Sequence, residues 1–418
     1  MIRFIVILLG LLSFGGYGHT HRAGHIRAHV RTDQAMSASN LSIVSPTSRS
    51  SAFIHPGVLM NRAQIDNVAS KISEGEKTRV SALSAMLQHD LASRTAATPV
   101  ATVACEGTSS GKTNPAACSD ERKDASAAYL NALAWIRSGD QSRAQRAIDF
   151  MNAWAGKLKS HTGSNAPVQA GWAGAVWART AELIRYTDAG WSSSDITRFS
   201  AMLRDVYLPN VIVGAPQGYN GNWDLVMIEA AVGISIFLDD QTSYNTSLAR
   251  FLDRVPAYIF MKSDGQLPHV AASDTNLNTD SKVIKYWNGQ TDWTHSGVSQ
   301  ESCRDFEHTG YGLASISHIA EMSRLQGRDL FKEDVGNRLL AALELHTQII
   351  LESSQPSWFC QDEELSTYLG PVSEIGYNAL AERLGKDMPY TKTYTEKVRP
   401  GSYLLFFGWE TLTHLHQA

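Results

Sequence analysis

The sequence has little charge of either sign and no excess of the positive one. Charged residues make up 19% of the 418, and 37 Lys and Arg stand against 41 Asp and Glu, a formal charge of -4. That balance excludes a protein that binds nucleic acid through bulk positive charge, so an anionic partner must be met by cations gathered locally. No apolar run approaches the roughly 20 residues that a bilayer requires; the most apolar internal segment, Leu225–Leu238, carries Glu229 and reads as a buried helix. Neither a Cys-x-x-Cys pair nor a Cys/His cluster occurs, so no metal site and no cofactor are expected. Hydrophobic residues amount to 43%, too many for a disordered chain and enough for a large core.

The ends and the four cysteines suggest export. Residues 1–18 have the layout of a signal peptide: Arg3, an apolar stretch from Phe4 to Leu12, then small Gly16 and Gly18. Residues 19–50, with His19, His21, His25 and His29 and many serines, read as a flexible leader or pro-segment. In an exported protein the cysteines are expected in structural disulfides, and spacing favours Cys105 with Cys118 and Cys303 with Cys360. Asn40 and Asn245 begin glycosylation triplets. The expectation is a secreted, soluble monomer that contacts neither membrane nor nucleic acid.

From residue 51 to 418 the periodicity is helical and strands are hard to find. Ala127–Ile136 and Ala144–Trp154 carry apolar residues at three- and four-residue spacing around Ser138-Gly139-Asp140, which is the pattern of a helical hairpin. The pattern recurs at Ala170–Tyr186 with Ser192–Tyr207, Trp223–Leu238 with Ser243–Phe260, and Thr309–Leu325 with Asp329–Leu351. Ser and Asp precede several of these runs, as N-caps do. A repeat of about 40 to 50 residues per helix pair predicts an all-α (α/α) toroid of about six or seven hairpins in a single domain. Trp135, Trp154 and Trp177 sit inside the periodic helices and are expected in the core. The long connection at 262–300, with Tyr286, Trp287 and Trp293, reads as an ordered loop at a ligand site.

Two segments crowd polar groups where a helix should begin: Gly218-Tyr219-Asn220-Gly221-Asn222-Trp223-Asp224, and Ser299 through Tyr311. At helical spacing Arg304, His308 and Tyr311 share one face. A guanidinium, an imidazole, a phenol and a nearby amide are what removal of a proton alpha to a carboxylate demands. Asn and Arg neutralise the carboxylate, and Tyr and His exchange protons with carbon and the leaving oxygen. The same residues are also compatible with a salt-bridged amphipathic helix in which Arg304 pairs with Glu301, Asp305 or Glu307.

His55-Pro56-Gly57-Val58-Leu59, AAYLNALAWIRSGD, Gln169-Ala170-Gly171-Trp172, NGNWD and ESCRDFEHTGYGLASISHIAE, in that order, resemble the alginate lyase superfamily of polysaccharide lyases over residues 53 to 415. The resemblance implies an (α/α) toroid whose groove or tunnel binds polyuronate. It places the catalytic tyrosine on Tyr311, with Arg304 in the same motif, and the carboxylate-neutralising asparagine on Asn222. The family's well-known members carry a histidine directly after that asparagine; this chain has Trp223. A histidine contribution therefore falls to His308 first and His269 second.

The expected activity is β-elimination on a 1,4-linked polyuronate, alginate or glucuronan, with Asn222, Arg304, His308 and Tyr311 as the catalytic set. Asn220, Trp223, His269, Lys285, Trp293, Glu301, Tyr377 and Arg399 are candidate substrate contacts, and Asn378 neighbours Tyr377. Two rivals are a glycoside hydrolase on a similar toroid, using two of Asp224, Glu301, Asp305 and Glu307, and a secreted carbohydrate-binding protein without activity.

Overall fold

The computed structural model describes residues 53–107, 111, 114–361, 365–402 and 405–417. The signal segment, the leader with its histidines and Asn40 lie outside the described residues.

Sixteen helices follow one another in the described chain: α1 (Arg62–Ser73), α2 (Lys77–Gln88), α3 (Asp90–Ser93), α4 (Ala116–Ser138), α5 (Gln141–Ala155), α6 (Ala166–Arg185), α7 (Ser193–Met202), α8 (Leu208–Val211), α9 (Gly221–Phe237), α10 (Gln241–Arg254), α11 (Asp280–Tyr286), α12 (Phe306–Leu325), α13 (Asp334–Glu352), α14 (Glu374–Tyr377), α15 (Pro389–Val398) and α16 (Glu410–His414). Wider π-turns extend α7 through Leu203–Tyr207 and α14 through Asn378–Arg383. The pairs α1/α2, α4/α5, α6/α7, α9/α10, α12/α13 and α14/α15 form the hairpins of an (α/α) toroid, within the predicted six or seven. Two short parallel strands, β1 (Thr102–Ala104) and β2 (Ser160–Thr162), are the sheet among the described residues.

Inner and outer helices differ as their sequences require. Every residue of α9 except Trp223 is buried, because α9 packs on α6, α10 and α12 and has no wet face. Its outer partner α10 buries Tyr244, Ser247, Leu248, Phe251 and Arg254, a single stripe at three- and four-residue spacing. Caps set the starts: the side chains of Asp140, Ser192, Asp240 and Asp305 accept the backbone N–H of Ser142, Asp195, Ser243 and His308. Trp154 and Trp177 are fully buried, as expected for core, whereas Trp135 is partly exposed and donates to Thr187 Oγ1 at 2.9 Å. Each fully buried large apolar side chain stabilises the fold by about 1.5–3 kcal/mol.

The first and last helices of the described residues meet. Helix α16 packs on α1, α2 and α14; His414 contacts the Leu59 carbonyl at 2.9 Å, Arg79 Nε donates to the Leu412 carbonyl at 3.1 Å, and Asn67 donates to Gln417 at 2.9 Å. Both disulfides form as the spacing predicted, Cys105–Cys118 and Cys303–Cys360. Among the described residues no helix is long and apolar enough to cross a membrane.

Candidate active site

A cleft of about 600 Å³ opens at one end of the toroid, lined by residues that include Arg122, Trp172, Asn222, Trp223, Arg304, His308 and Tyr311. These positions come from the beginnings of four successive inner helices. Arg122 stands in the second turn of α4, Trp172 in the second turn of α6, Asn222 in the first turn of α9 and His308 in the first turn of α12. Arg122 and Arg304 bring two guanidinium groups into one cleft although the net charge of the whole chain is negative.

Glu301 organises the chemical end of the cleft. It is 0% exposed. Its carboxylate accepts the Asn222 side-chain amide at 2.6 and 2.7 Å, the Asn222 backbone N–H at 3.1 Å, the Tyr258 hydroxyl at 3.1 Å and Arg304 Nη1 at 2.8 Å. Gln300 Oε1 accepts the Gly221 N–H at 2.9 Å, so two side chains from the 299–304 segment cap α9, whose own Asn220 makes no side-chain cap. Tyr258 reaches Glu301 only because Gly221 and Gly312 flank it. A Cβ at Gly312 would lie 2.3 Å from the phenol ring, and one at Gly221 would lie 2.4 Å from it. Burial, then the charge of Glu301, pushes the Tyr258 phenol well above its ordinary value, which keeps it a neutral donor.

Arg304 precedes α12, so it does not share that helix's face as the spacing predicted; Asp305 is the N-cap and the helix starts at Phe306. Its guanidinium nevertheless reaches the cleft by a different route, through Glu301 on one side and His308 on the other. Arg304 Nη2 lies 2.9 Å from His308 Nε2, and His308 Nδ1 lies 2.7 and 2.8 Å from the two oxygens of Asp305. An arginine can only donate, so His308 Nε2 is the acceptor and Nδ1–H points to Asp305. Burial raises the Asp305 carboxyl, but hydrogen bonds from the His308 ring and backbone and the charges nearby outweigh it and hold the carboxyl below its ordinary value. Tyr311, 8% exposed, packs its ring against Phe406 and Phe407 and donates its hydroxyl to Glu307 Oε1 at 2.9 Å.

The other expected contacts disperse. Asn220 and Trp223 line the cleft, and Glu301 stands behind it. His269 pairs with Asp253 at 3.1 Å on an exposed loop, and Lys285 is exposed on α11 outside the cleft lining. Trp293 is buried against Phe260 and Trp287. Tyr377 is 8% exposed on α14 with Asn378 beside it, and Arg399 is held by Glu374 at 2.7 Å and borders a separate cavity with Lys77. The 262–300 loop is ordered but braces the site from outside: Tyr286 donates to the Tyr219 carbonyl at 3.0 Å, and Gln217 donates to Thr275 at 2.9 Å. Asp224, a hydrolase candidate, is buried and clamped by Arg250 and Arg254; burial raises its carboxyl, but the two arginines hold it below its ordinary value.

Sequence reasoning did not select Arg122, Trp172 or Tyr219. Arg122 stacks over Trp172 at 5.3 Å and donates to Gln169, which in turn donates to buried Glu121. The spacing Gln169 to Trp172 was the available signal, because i and i+3 on one helix present both residues to the same side.

A helical toroid whose inner helix starts gather an amide, a guanidinium, an imidazole and a phenol defines a class of enzyme that handles acidic polymers by acid–base chemistry. The family model for alginate lyase matches residues 76–356, and the chain belongs to that family of polysaccharide lyases. Among solved structures, an alginate lyase from Bacteroides ovatus is similar at 13% identity and a TM-score of 0.55, with 86% of this chain and 99% of that one covered. A variant of alginate lyase A1-III complexed with a tetrasaccharide is similar at 12% identity and a TM-score of 0.55, over 87% of this chain and 97% of that one. Alginate lyase A1-III from Sphingomonas species A1 is similar at 12% identity and a TM-score of 0.50, over 87% of this chain and 98% of that one. No curated protein matches in sequence.

Proposed function

We propose that this enzyme cleaves a 1,4-linked polyuronate, alginate or glucuronan, by β-elimination. One observation carries the reading: Asn222, Arg304 and Tyr311 converge on a single cleft built from helix N-termini. Asn222 and Arg304 neutralise the carboxylate of the sugar at the point of cleavage, so that the negative charge developing when the C5 proton leaves is stabilised. Tyr311 takes that proton and returns one to O4 as the C4–O4 bond breaks, leaving a C4=C5 double bond. His308, engaged at both nitrogens, fixes the Arg304 guanidinium and does not itself act as the base. Trp223, Trp172 and Arg122 provide aromatic faces and a cation for neighbouring sugars.

With Trp223 beside Asn222, one phenol serves as both base and acid. That suits sugars in which the C5 proton and O4 lie on the same face, as in mannuronate and glucuronate, over guluronate. The hydrolase reading loses its carboxylate pair, because Asp224 and Glu301 are buried and bonded, Asp305 holds His308 and Glu307 holds Tyr311. We also propose a secreted monomer, glycosylated at exposed Asn245 where the host permits, that needs no cofactor. Incubation with polymannuronate, polyguluronate, glucuronan and a neutral glycan, followed by ultraviolet absorbance, tests the function. New absorbance on an acidic polymer supports it, and silence on all of them overturns it.

A further inference from the structure

The geometry points to Glu307 as a positioning and proton-relay residue for Tyr311, a role that rests on the lyase reading above. The Tyr311 hydroxyl donates to Glu307 Oε1 at 2.9 Å across one helical turn. That bond gives the phenol proton a carboxylate acceptor within reach, which is what moving the proton during the reaction requires. A carboxylate beside a cleft for a polyanion opposes binding by like-charge repulsion. Its hydrogen bond to the phenol supplies the compensating function.

In the step, the C5–H bond breaks and its proton forms a new O–H bond on Tyr311 while the original Tyr311 proton moves to Glu307. The electron pair left at C5 forms the C4=C5 bond, and the C4–O4 pair departs with O4. O4 takes a proton from Tyr311, and Glu307 returns its proton to Tyr311. The net transfer is from C5 to O4, with no oxidant or co-reactant, and no phenolate need exist beforehand.

Among the described residues, the other titratable and charged groups around the pair are Arg304, Asp305 and His308 from the same turn, Glu301 and Tyr258 behind it, and Tyr368 from the segment that packs on the start of α12 through Ser366 and Leu369. Burial, and then the charge of Glu307, raises the Tyr368 phenol, so it stays neutral. Phe406 and Phe407 pack against the Tyr311 ring.

The test compares wild type, E307Q and E307D on polymannuronate across pH, with circular dichroism as a check on folding. E307Q is expected to lose about 100-fold in kcat, within the usual range for an acid–base group, with KM unchanged or lower. Its rate should rise with pH toward the alkaline range in which phenols ionise, and E307D should recover part of the loss with a profile displaced less far in the same direction. An active wild type with E307Q matching it in kcat and pH profile overturns the relay alone, as does a loss in E307Q that leaves the profile unmoved. If E307Q does not fold, the profile of E307D decides: one displaced toward alkaline pH supports the relay, and an undisplaced one overturns it whatever its kcat. A wild type silent on every polyuronate overturns the lyase reading, and the relay with it.

Discussion

Glu301 and Asn222 form a buried carboxylate–amide contact, with the Asn222 Nδ2 2.6 and 2.7 Å from the two carboxylate oxygens. One negative charge thereby fixes the amide, the start of α9 and, through Arg304, the guanidinium of the same site. Glu301→Gln keeps the shape and removes the charge. It is expected to destabilise the fold by about 1–3 kcal/mol and to lower kcat/KM more than tenfold. Urea denaturation together with steady-state kinetics measures both, and unchanged kinetics would remove Glu301 from the site's support.

Tyr311→Phe deletes a single oxygen at a position where the ring is held by Phe406 and Phe407. The fold should survive while formation of the unsaturated product falls by at least about 100-fold. Ultraviolet absorbance alongside circular dichroism is the check; a fully active variant contradicts the role given to Tyr311.

Gly312→Ala would place a methyl group 2.3 Å from the Tyr258 ring. That ring is fully buried. Overpacking of this kind costs about 1–3 kcal/mol, and displacing Tyr258 also removes a donor from Glu301. A lower melting temperature and a reduced kcat are expected together, and a variant as stable as wild type would show that the contact can relax.

The two disulfides should differ in their effect on activity. Cys303 directly precedes Arg304, and its bond to Cys360 closes a separation of 57 residues, against 13 for Cys105 with Cys118. Chain entropy gives about 4 kcal/mol for the longer loop and about 3 kcal/mol for the shorter. Replacing the pair Cys303 and Cys360 by Ala should therefore cost more stability and also raise KM through a loosened Arg304. Denaturation midpoints and kinetics of the two double variants distinguish this from a uniform loss.

Buried His346 sets part of the acid limit of stability. Burial lowers its imidazole to about 4, and the hydrogen bond to the Ala342 carbonyl, which acts in the opposite sense, offsets only part of that. A folded value below the unfolded one of about 6.5 means that the unfolded chain binds the proton first. Its contribution is present above pH 6.5 and is lost as pH falls from there toward 4. His414, lowered to about 4 by burial, acts in the same sense. The melting temperature should fall across that window, less steeply in His346→Gln; a variant with an unchanged slope would exclude His346 as a source.

The helical hairpins were legible because apolar spacing and caps such as Asp140 and Ser192 are local properties, fixed by neighbours three or four residues away. The disulfide partners were legible from their spacing, whereas Tyr311 and Asn222 were singled out through the resemblance to the alginate lyase superfamily. By itself the sequence determined an all-helical array, its punctuation, and the presence of one amide and one Arg/Tyr segment at the heads of two helices. Only the tertiary structure decided that Glu301 sits between those segments, that His308 is occupied at both nitrogens, that Lys285, His269 and Arg399 face elsewhere, and that Arg122 and Trp172 join the cleft. Residues as far apart in sequence as Asn222 and Glu301 are hydrogen-bonded, and Arg122 and Arg304 line one cleft; no local periodicity encodes either. The acidic net charge shows the same division. It is a sum over the chain, whereas the gathering of Arg122 and Arg304 in one cleft arises from where the ring places α4 and the start of α12.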